Sequence, residues 1–281
     1  MMNLQTAIYK ASNELKKNNI KTFSLDCELL ISKAIKKDRE FLILNLDKEI
    51  KKEEYLYFQK LIKERSRGKP IAYLTGKKYF WKSEFDISQN VLIPRPETEL
   101  IIEQVLSIYK NKNKISFLEV GVGSGCILLS ILKERKDFLG QGIDISDHSL
   151  KICKINAYKL GVKNRVKLFK SDIDNFNKSK YDLIISNPPY IKKLDLKYLE
   201  KDIINFEPKE ALNGGLDGIS EIRKIINKSS ELIKKNGKLI LEIAFNQKEV
   251  VKTLLKKKGF YTNKVIKDLA NNDRCIISTK K

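Results

Sequence analysis

Ile115-Ser116-Phe117-Leu118-Glu119-Val120-Gly121-Val122-Gly123-Ser124-Gly125-Cys126 carries the pattern that decides the fold. The first six residues read as a buried strand and the glycines as a tight loop. The apolar run over 126–132 reads as the helix that this loop opens. The same alternation continues downstream. Residues 138–144, 166–169, 181–186 and 238–244 give strands, with helical periodicity at 149–160, 219–235 and 247–258. Residues 260–266 and 274–279 close the chain as a pair of strands. Strands and helices in that order predict an α/β fold, a doubly wound and mostly parallel sheet.

Upstream the character changes. Residues 1–68 are helical throughout, with Leu4, Ala7, Ile8, Ala11 and Leu15 at helical spacing. Ser24 to Glu28 reads as a capping box with Ser24 as N-cap, and residues 53–65 begin acidic and end basic, as the helix dipole favours. The expectation is a small bundle of four or five helices, serving partner docking or acting as a structural cap. Gly68-Lys69-Pro70 ends it, and the alternation over 81–87 predicts a β-hairpin bridge. The expected division is therefore a helical domain over 1–68, a hairpin linker over 69–93 and an α/β domain over 94–281. A helix starts near Glu97 or Thr98 and runs to Tyr109.

A formal net charge of +21 resembles a nucleic-acid signature. The basic residues, however, are 48 Lys against 8 Arg, scattered along the chain rather than gathered in a stripe. Abundant Lys, Ile and Asn point instead to an A- and T-rich genome as the origin of most of the charge, and a residual attraction to RNA-rich partners such as the ribosome stays open. The four cysteines have no paired spacing, which argues against zinc and disulfides and fits a reducing cytoplasm. The single histidine, His148, argues against a Ser/His hydrolase or a multi-His metal site. The amino terminus lacks the order of a signal peptide, and no stretch has the roughly 18 uncharged apolar residues of a spanning helix. A cytoplasmic protein with no membrane partner, monomeric by default, is the expectation.

The chemistry concentrates in Asn187-Pro188-Pro189-Tyr190, which follows the strand over 181–186 and so sits where open α/β sheets bind ligands. The Asn187 side-chain oxygen and the Pro188 carbonyl can hold both hydrogens of one planar –NH2 group. Consecutive prolines fix that geometry beforehand, and Tyr190 supplies a flat face. In isolation the stretch would read as a proline turn. The loop Gly121-Val122-Gly123-Ser124-Gly125 lets backbone approach a ligand, but it fits dinucleotide enzymes, methyltransferases and plain tight turns alike. Asp144 ends the second strand, where a carboxylate can accept from both ribose hydroxyls of an adenosine, or else be a solvated turn residue. Asp172 is placed to meet the exocyclic amine of an adenine and Ile173 to cover its ring, though both read equally as loop residues. Glu119 can face the amino group of a methionine moiety. A dehydrogenase is disfavoured because the loop is G-x-G-x-G and because it leaves Asn187 unexplained.

Together, the glycine loop after the first strand, the acid after the second and Asn-Pro-Pro-Tyr after the fourth resemble the class I S-adenosylmethionine-dependent amino-methyltransferases. Within them the chain is similar to the HemK-like protein-(glutamine-N5) methyltransferases that act on bacterial peptide-chain release factors. Residues 70–76, Ile93-Pro94-Arg95-Pro96-Glu97-Thr98-Glu99, residues 118–125, residues 187–190, residues 207–212 and residues 214–218 carry the resemblance over nearly the whole chain. Arg95 to Glu99 sets the subtype, since the sister enzymes of a ribosomal large-subunit protein carry Pro-Arg-Ser-Pro there. Glu119, Val122 and Ala244 depart from the residues commoner in the family. The resemblance implies a Rossmann-like, seven-stranded sheet, S-adenosylmethionine as methyl donor, and the glutamine of a Gly-Gly-Gln loop as acceptor, held by Asn187 and Pro188 with Pro189 and Tyr190 beside it. Arg95, Glu97 and Glu99 either shape that pocket or cap the domain junction. Two other readings stand beside this one. One is an N6-adenine or N2-guanine nucleic-acid methyltransferase using the same cradle, although no target-recognition domain is evident. The other is a non-catalytic module that binds a translation factor.

Overall fold

The computed structural model describes residues 2–178 and 180–281. The chain forms two compact units, Met1–Lys77 with Glu200–Phe206, and Lys78–Leu199 with Glu207–Lys281.

The first unit packs α1 (Leu4–Lys17), α2 (Phe23–Ile35), α3 (Arg39–Leu44), α4 (Lys52–Ser66) and α5 (Ile71–Thr75) around Leu4, Leu15, Leu30, Ile31, Phe58 and Ile62. Asn3 caps α1 by accepting from the Thr6 N–H at 2.9 Å, and Asp38 caps α3 through the Phe41 N–H at 2.7 Å. Ser24 is not a cap: α2 begins at Phe23 after Thr22, whose hydroxyl donates to Asp26 Oδ2 at 2.9 Å. The reason is a buried ion pair. Arg65 Nε lies 2.7 Å from Asp26 Oδ2 with both side chains almost fully enclosed, so the first turn of α2 must point Asp26 inward. Residues 71–75, inside the stretch read as a hairpin linker, are helix α5.

The hairpin of β1 (Lys77–Phe80), which starts at the last residue of that stretch of the first unit, and β2 (Ser83–Asp86) leads into the second unit, where a 3-10 turn at Pro96–Thr98 precedes α6 (Glu99–Ile108). There follow β3 (Ser116–Val120), α7 (Cys126–Glu134), β4 (Leu139–Asp144), α8 (Asp147–Lys159), β5 (Val166–Lys170) and β6 (Tyr181–Ser186). Next come α9 (Lys201–Phe206), which folds with the first unit, α10 (Ser220–Leu232) and β7 (Ile233–Glu242). The chain ends with α11 (Lys248–Lys257), β8 (Phe260–Lys267) and β9 (Asp273–Lys280). Sequence reading foresaw neither α9 nor the early start of β7, where Ile233 pairs with Tyr181.

The seven strands are ordered β5-β4-β3-β6-β7-β9-β8, with the first five parallel and β9 antiparallel to both its neighbours. Leu118, Ile184, Leu239 and Leu241 on the central strands are fully buried, as expected where helices cover both faces of a parallel sheet. Winding reverses between β3 and β6, which makes their carboxyl ends the topological switch point. These two strands run in register, Val120 opposite Ser186, and the Ser186 hydroxyl donates to the Val120 carbonyl at 2.7 Å. The glycine loop and Asn187 therefore leave the sheet side by side. Among the described residues no helix is long and apolar enough to cross a membrane.

Candidate active site

At the end of β3 the backbone turns through Gly121 (φ +75°) and Gly123 (φ +54°), with the Gly121 and Val122 N–H groups both donating to the Ile143 carbonyl. A Cβ built on either glycine would meet nothing within 4 Å, so both present bare backbone to open space. Asp144, closing β4, braces the loop: its Oδ2 accepts from the Gly123 N–H and its Oδ1 from the Ser146 N–H, each at 2.9 Å. Burial raises the Asp144 carboxyl above its usual range, and these backbone donors offset part of that rise. Gly125 has a different task. At φ +82° it starts α7, and a Cβ there would lie 2.6 Å from Cys153 Sγ, so it serves helix packing and does not line the cavity.

A cavity of about 700 Å³ opens over these strand ends. It brings together Glu119, Gly121, Val122, Gly123, Ser124, Asp144, Asp172 and Ile173 with Asn187, Pro188, Pro189 and Arg95. Glu119 is enclosed and its Oε2 accepts from the Leu128 N–H at 2.8 Å, capping α7 in place of the side chain Gly125 lacks. Burial pushes the Glu119 carboxyl well above its usual range; the Leu128 N–H opposes this and the Asp144 charge adds to it. Asp172 accepts from the Asp174 N–H at 2.9 Å, and Ile173 joins the hydrophobic core beneath.

The Asn187 amide is tied down on one side only. Its Nδ2 donates to Thr98 Oγ1 at 3.1 Å, and the Thr98 hydroxyl donates to Glu242 Oε2 at 2.7 Å. Among the described residues nothing donates to Asn187 Oδ1. The backbone after it is locked by a second loop. A Cβ on Gly214 would lie 2.8 Å from Tyr190 Cα and 2.9 Å from the Pro189 carbonyl oxygen, so only glycine lets these loops touch. Gln247 Nε2 donates to the carbonyls of Tyr190 and Gly218 at 3.0 and 2.9 Å, stapling the two loops together.

Tyr190, expected as a flat face beside the acceptors, does not line the cavity. Its ring packs against the core, and its hydroxyl donates to Glu242 Oε1 at 3.4 Å. Glu97 is exposed on the 3-10 turn and does not line the cavity either. Arg95 does, with its Nη2 2.5 Å from Oε1 of the buried Glu207, which also accepts from the Ile93 N–H. Glu99 accepts from the Trp81 N–H at 2.6 Å and so anchors the hairpin. Sequence reading missed Thr98, Glu242, Gln247 and Asn156. The last is fully buried on α8, bonds both backbone polar groups of Asp86, and donates to the Ser124 carbonyl at 2.9 Å, so that it ties β2 to the glycine loop. Glu242 had a signal, being a lone acid inside the apolar run over 239–243.

Bare glycine backbone beside three carboxylates and an apolar floor suits a ligand with hydroxyl and amine groups and a flat ring, and the cavity volume is that of a small-molecule site. Comparison with known proteins agrees. Residues 6–76 match the PrmC N-terminal domain family, and residues 96–216 match the Methyltransferase small domain family. A methyltransferase from Pyrococcus furiosus superposes with a TM-score of 0.53 at 19% identity, over 79% of this chain and 97% of that one, and shares the fold. The release factor glutamine methyltransferase of Clostridium botulinum is 38% identical over 99% of this chain and 100% of its own length. That of Buchnera aphidicola from Acyrthosiphon pisum is 37% identical over 99% of both chains. At this identity over essentially its full length, the chain belongs to the release factor glutamine methyltransferase family, and S-adenosylmethionine is its methyl donor.

Proposed function

We propose that the chain methylates the side-chain amide nitrogen of the glutamine in the Gly-Gly-Gln loop of peptide chain release factors, in support of translation termination. The observation that carries this reading is the Asn187 amide, whose Nδ2 is held by Thr98 while its Oδ1 stays free beside Pro188 in the cavity lining. Asn187 Oδ1 and the Pro188 carbonyl then accept the two hydrogens of one planar amide. An amide nitrogen is a poor nucleophile because its lone pair is delocalised. Acceptors fixed at both N–H groups favour the nitrogen as it gains positive charge, which is stabilisation by preorganised dipoles. No base is needed beforehand, since the proton can leave after the new bond forms.

S-adenosylmethionine, when bound, supplies a methyl group on a positively charged sulfur. The glycine loop from Gly121 through Ser124 would lie against it, with Asp144 accepting from ribose hydroxyls, Asp172 from an adenine amine, and Ile173 under the ring. Glu119 would face the amino group, whose positive charge would draw the buried carboxyl back to its ionised form. Arg95, held by Glu207, would border the substrate. The helical first unit is the candidate dock for the protein substrate, a reading supported by the exposed Tyr9, Ile43 and Leu44 on its surface.

Labelled S-adenosylmethionine offered with purified release factors, their Gln→Ala loop variants and duplex DNA tests this. Label should enter the intact factor alone and be absent with Asn187→Ala enzyme. Label on DNA alone would replace the proposal with the nucleic-acid reading.

A further inference from the structure

Asn187 can present either end of its amide to the cavity, and the two choices select opposite ligands. An outward Oδ1 accepts from an –NH2 group, whereas an outward Nδ2 donates to a carbonyl or carboxylate. The surroundings remove the choice while Glu242 is ionised. Thr98 is 2% exposed, and its Oγ1 stands 3.1 Å from Asn187 Nδ2 and 2.7 Å from Glu242 Oε2. An ionised carboxylate only accepts, so the single Thr98 hydrogen goes to Glu242. Thr98 Oγ1 is left with lone pairs for Asn187, which must turn its Nδ2 inward.

We propose that Glu242, acting through Thr98, is the positioning residue that holds Asn187 Oδ1 toward the substrate and thereby makes the site select an amide nitrogen. This inference rests on the glutamine reading above. Neither Glu242 nor Thr98 needs to touch the reacting nitrogen; each fixes the polarity of the next hydrogen bond along the row.

The polarity reverses if Glu242 is protonated. A neutral carboxyl can donate to Thr98, whose own hydrogen is then free to turn to Asn187 and draw Oδ1 inward. The groups facing Glu242 come from several elements. Arg274 on β9 and the Tyr190 hydroxyl favour its charged form, as does the Thr98 hydroxyl, whereas the Glu97 charge opposes it. The thiols of Cys275 on β9 and Cys126 at the start of α7 lie within reach of its charge. Burial outweighs all of these and raises the carboxyl to about 7, so the orientation of Asn187 loosens as pH falls through that value.

The test uses full-length enzyme with a release factor as methyl acceptor. Thr98→Val keeps the side-chain shape but removes both the relayed hydrogen and the acceptor for Asn187. It should lower kcat about tenfold or more, the rate equivalent of one lost hydrogen bond. Binding of S-adenosylhomocysteine, followed by calorimetric titration, should change by less than about threefold, which also reports that the variant is folded. Thr98→Ser restores the hydroxyl and should recover most of the lost rate. The wild-type pH profile of kcat should fall on the acid side near 7, and that limb should vanish in Thr98→Val because protonation of Glu242 no longer reaches Asn187. A Thr98→Val enzyme with the wild-type rate, or with the wild-type acid limb intact, overturns the inference while leaving the glutamine reading in place. A wild-type enzyme that binds S-adenosylhomocysteine but does not label the factor's glutamine overturns both.

Discussion

Replacing Glu242 with glutamine should stabilise the protein in a way that grows with pH. The carboxyl is enclosed between β9 and the residues before α6, and burial carries it from an ordinary 4.5 to about 7. That rise corresponds to about 3 kcal/mol of preference for the proton-bearing form in the folded state. The folded chain thus binds more protons than the unfolded chain between these values. The sign follows: the contribution of Glu242 to stability is fully present below 4.5 and is lost as pH rises through 7. The Glu242→Gln side chain keeps the shape and an oxygen for Thr98 but cannot ionise, so it escapes the loss. Thermal midpoints of wild-type and Glu242→Gln protein, measured in parallel across pH 4.5–8.5, should nearly coincide at the acid end. The variant should lead by about 6–12 °C at the alkaline end, taking about 2–4 °C per kcal/mol for a domain of this size. All other titrating groups are common to both proteins and cancel in the difference. A gap that stays constant with pH, or a variant less stable than wild type at pH 8, would show that burial does not dominate at Glu242. The expected outcome means that this carboxylate costs stability at the pH where the site needs it charged, a compromise usual for buried functional acids.

Three further outcomes are expected. Gly125→Ala should lower stability by about 2–4 kcal/mol, because its Cβ would lie 2.6 Å from Cys153 Sγ in addition to the strain of an L residue at φ +82°, whereas Gly123→Ala, at φ +54° with open space around its Cβ, bears only the backbone strain of about 1–2 kcal/mol and should fold and instead weaken S-adenosylhomocysteine binding; equal melting losses for the two would refute the distinction. Arg65→Met should destabilise the first unit by about 3–5 kcal/mol by stranding the enclosed Asp26, and Asp26→Leu/Arg65→Met should regain most of that in urea titrations. Asp144→Asn should weaken S-adenosylhomocysteine binding by about 10–100-fold, since an amide sets a donor against either the Gly123 or the Ser146 N–H and deforms the glycine loop; unchanged affinity in a calorimetric titration would count against the role given to this carboxylate.

Legibility in the sequence followed the range of the interaction. The strand, glycine loop and helix over 115–134 were readable because apolar periodicity and positive-φ glycines are local properties. Asn187 was readable because its acceptor and the stiff prolines lie in adjacent positions. Ser24 misled because a local cap signal competed with Asp26, which is drawn inside by an arginine 39 residues away. Tyr190 was placed correctly after β6, but its ring packs against the core and its hydroxyl reaches Glu242, 52 residues on, contacts that no local signal shows. Glu97 shared a motif with Arg95 and Thr98, yet the 3-10 turn points the three residues differently: Thr98 is buried, Arg95 half-buried and Glu97 exposed.

The sequence by itself determined the succession of the strands of the main sheet along the chain, the two chemical stretches and the chemistry open to each, since backbone preference and side-chain functional groups are properties of short segments. Tertiary structure alone decided that Val120 and Ser186 stand in register, so that the glycine loop and Asn187 share one cavity. It alone decided which end of the Asn187 amide faces outward. That choice depends on a row of hydrogen bonds from positions 98, 187 and 242, and hydrogen-bond polarity is fixed only when donor and acceptor meet within about 3 Å.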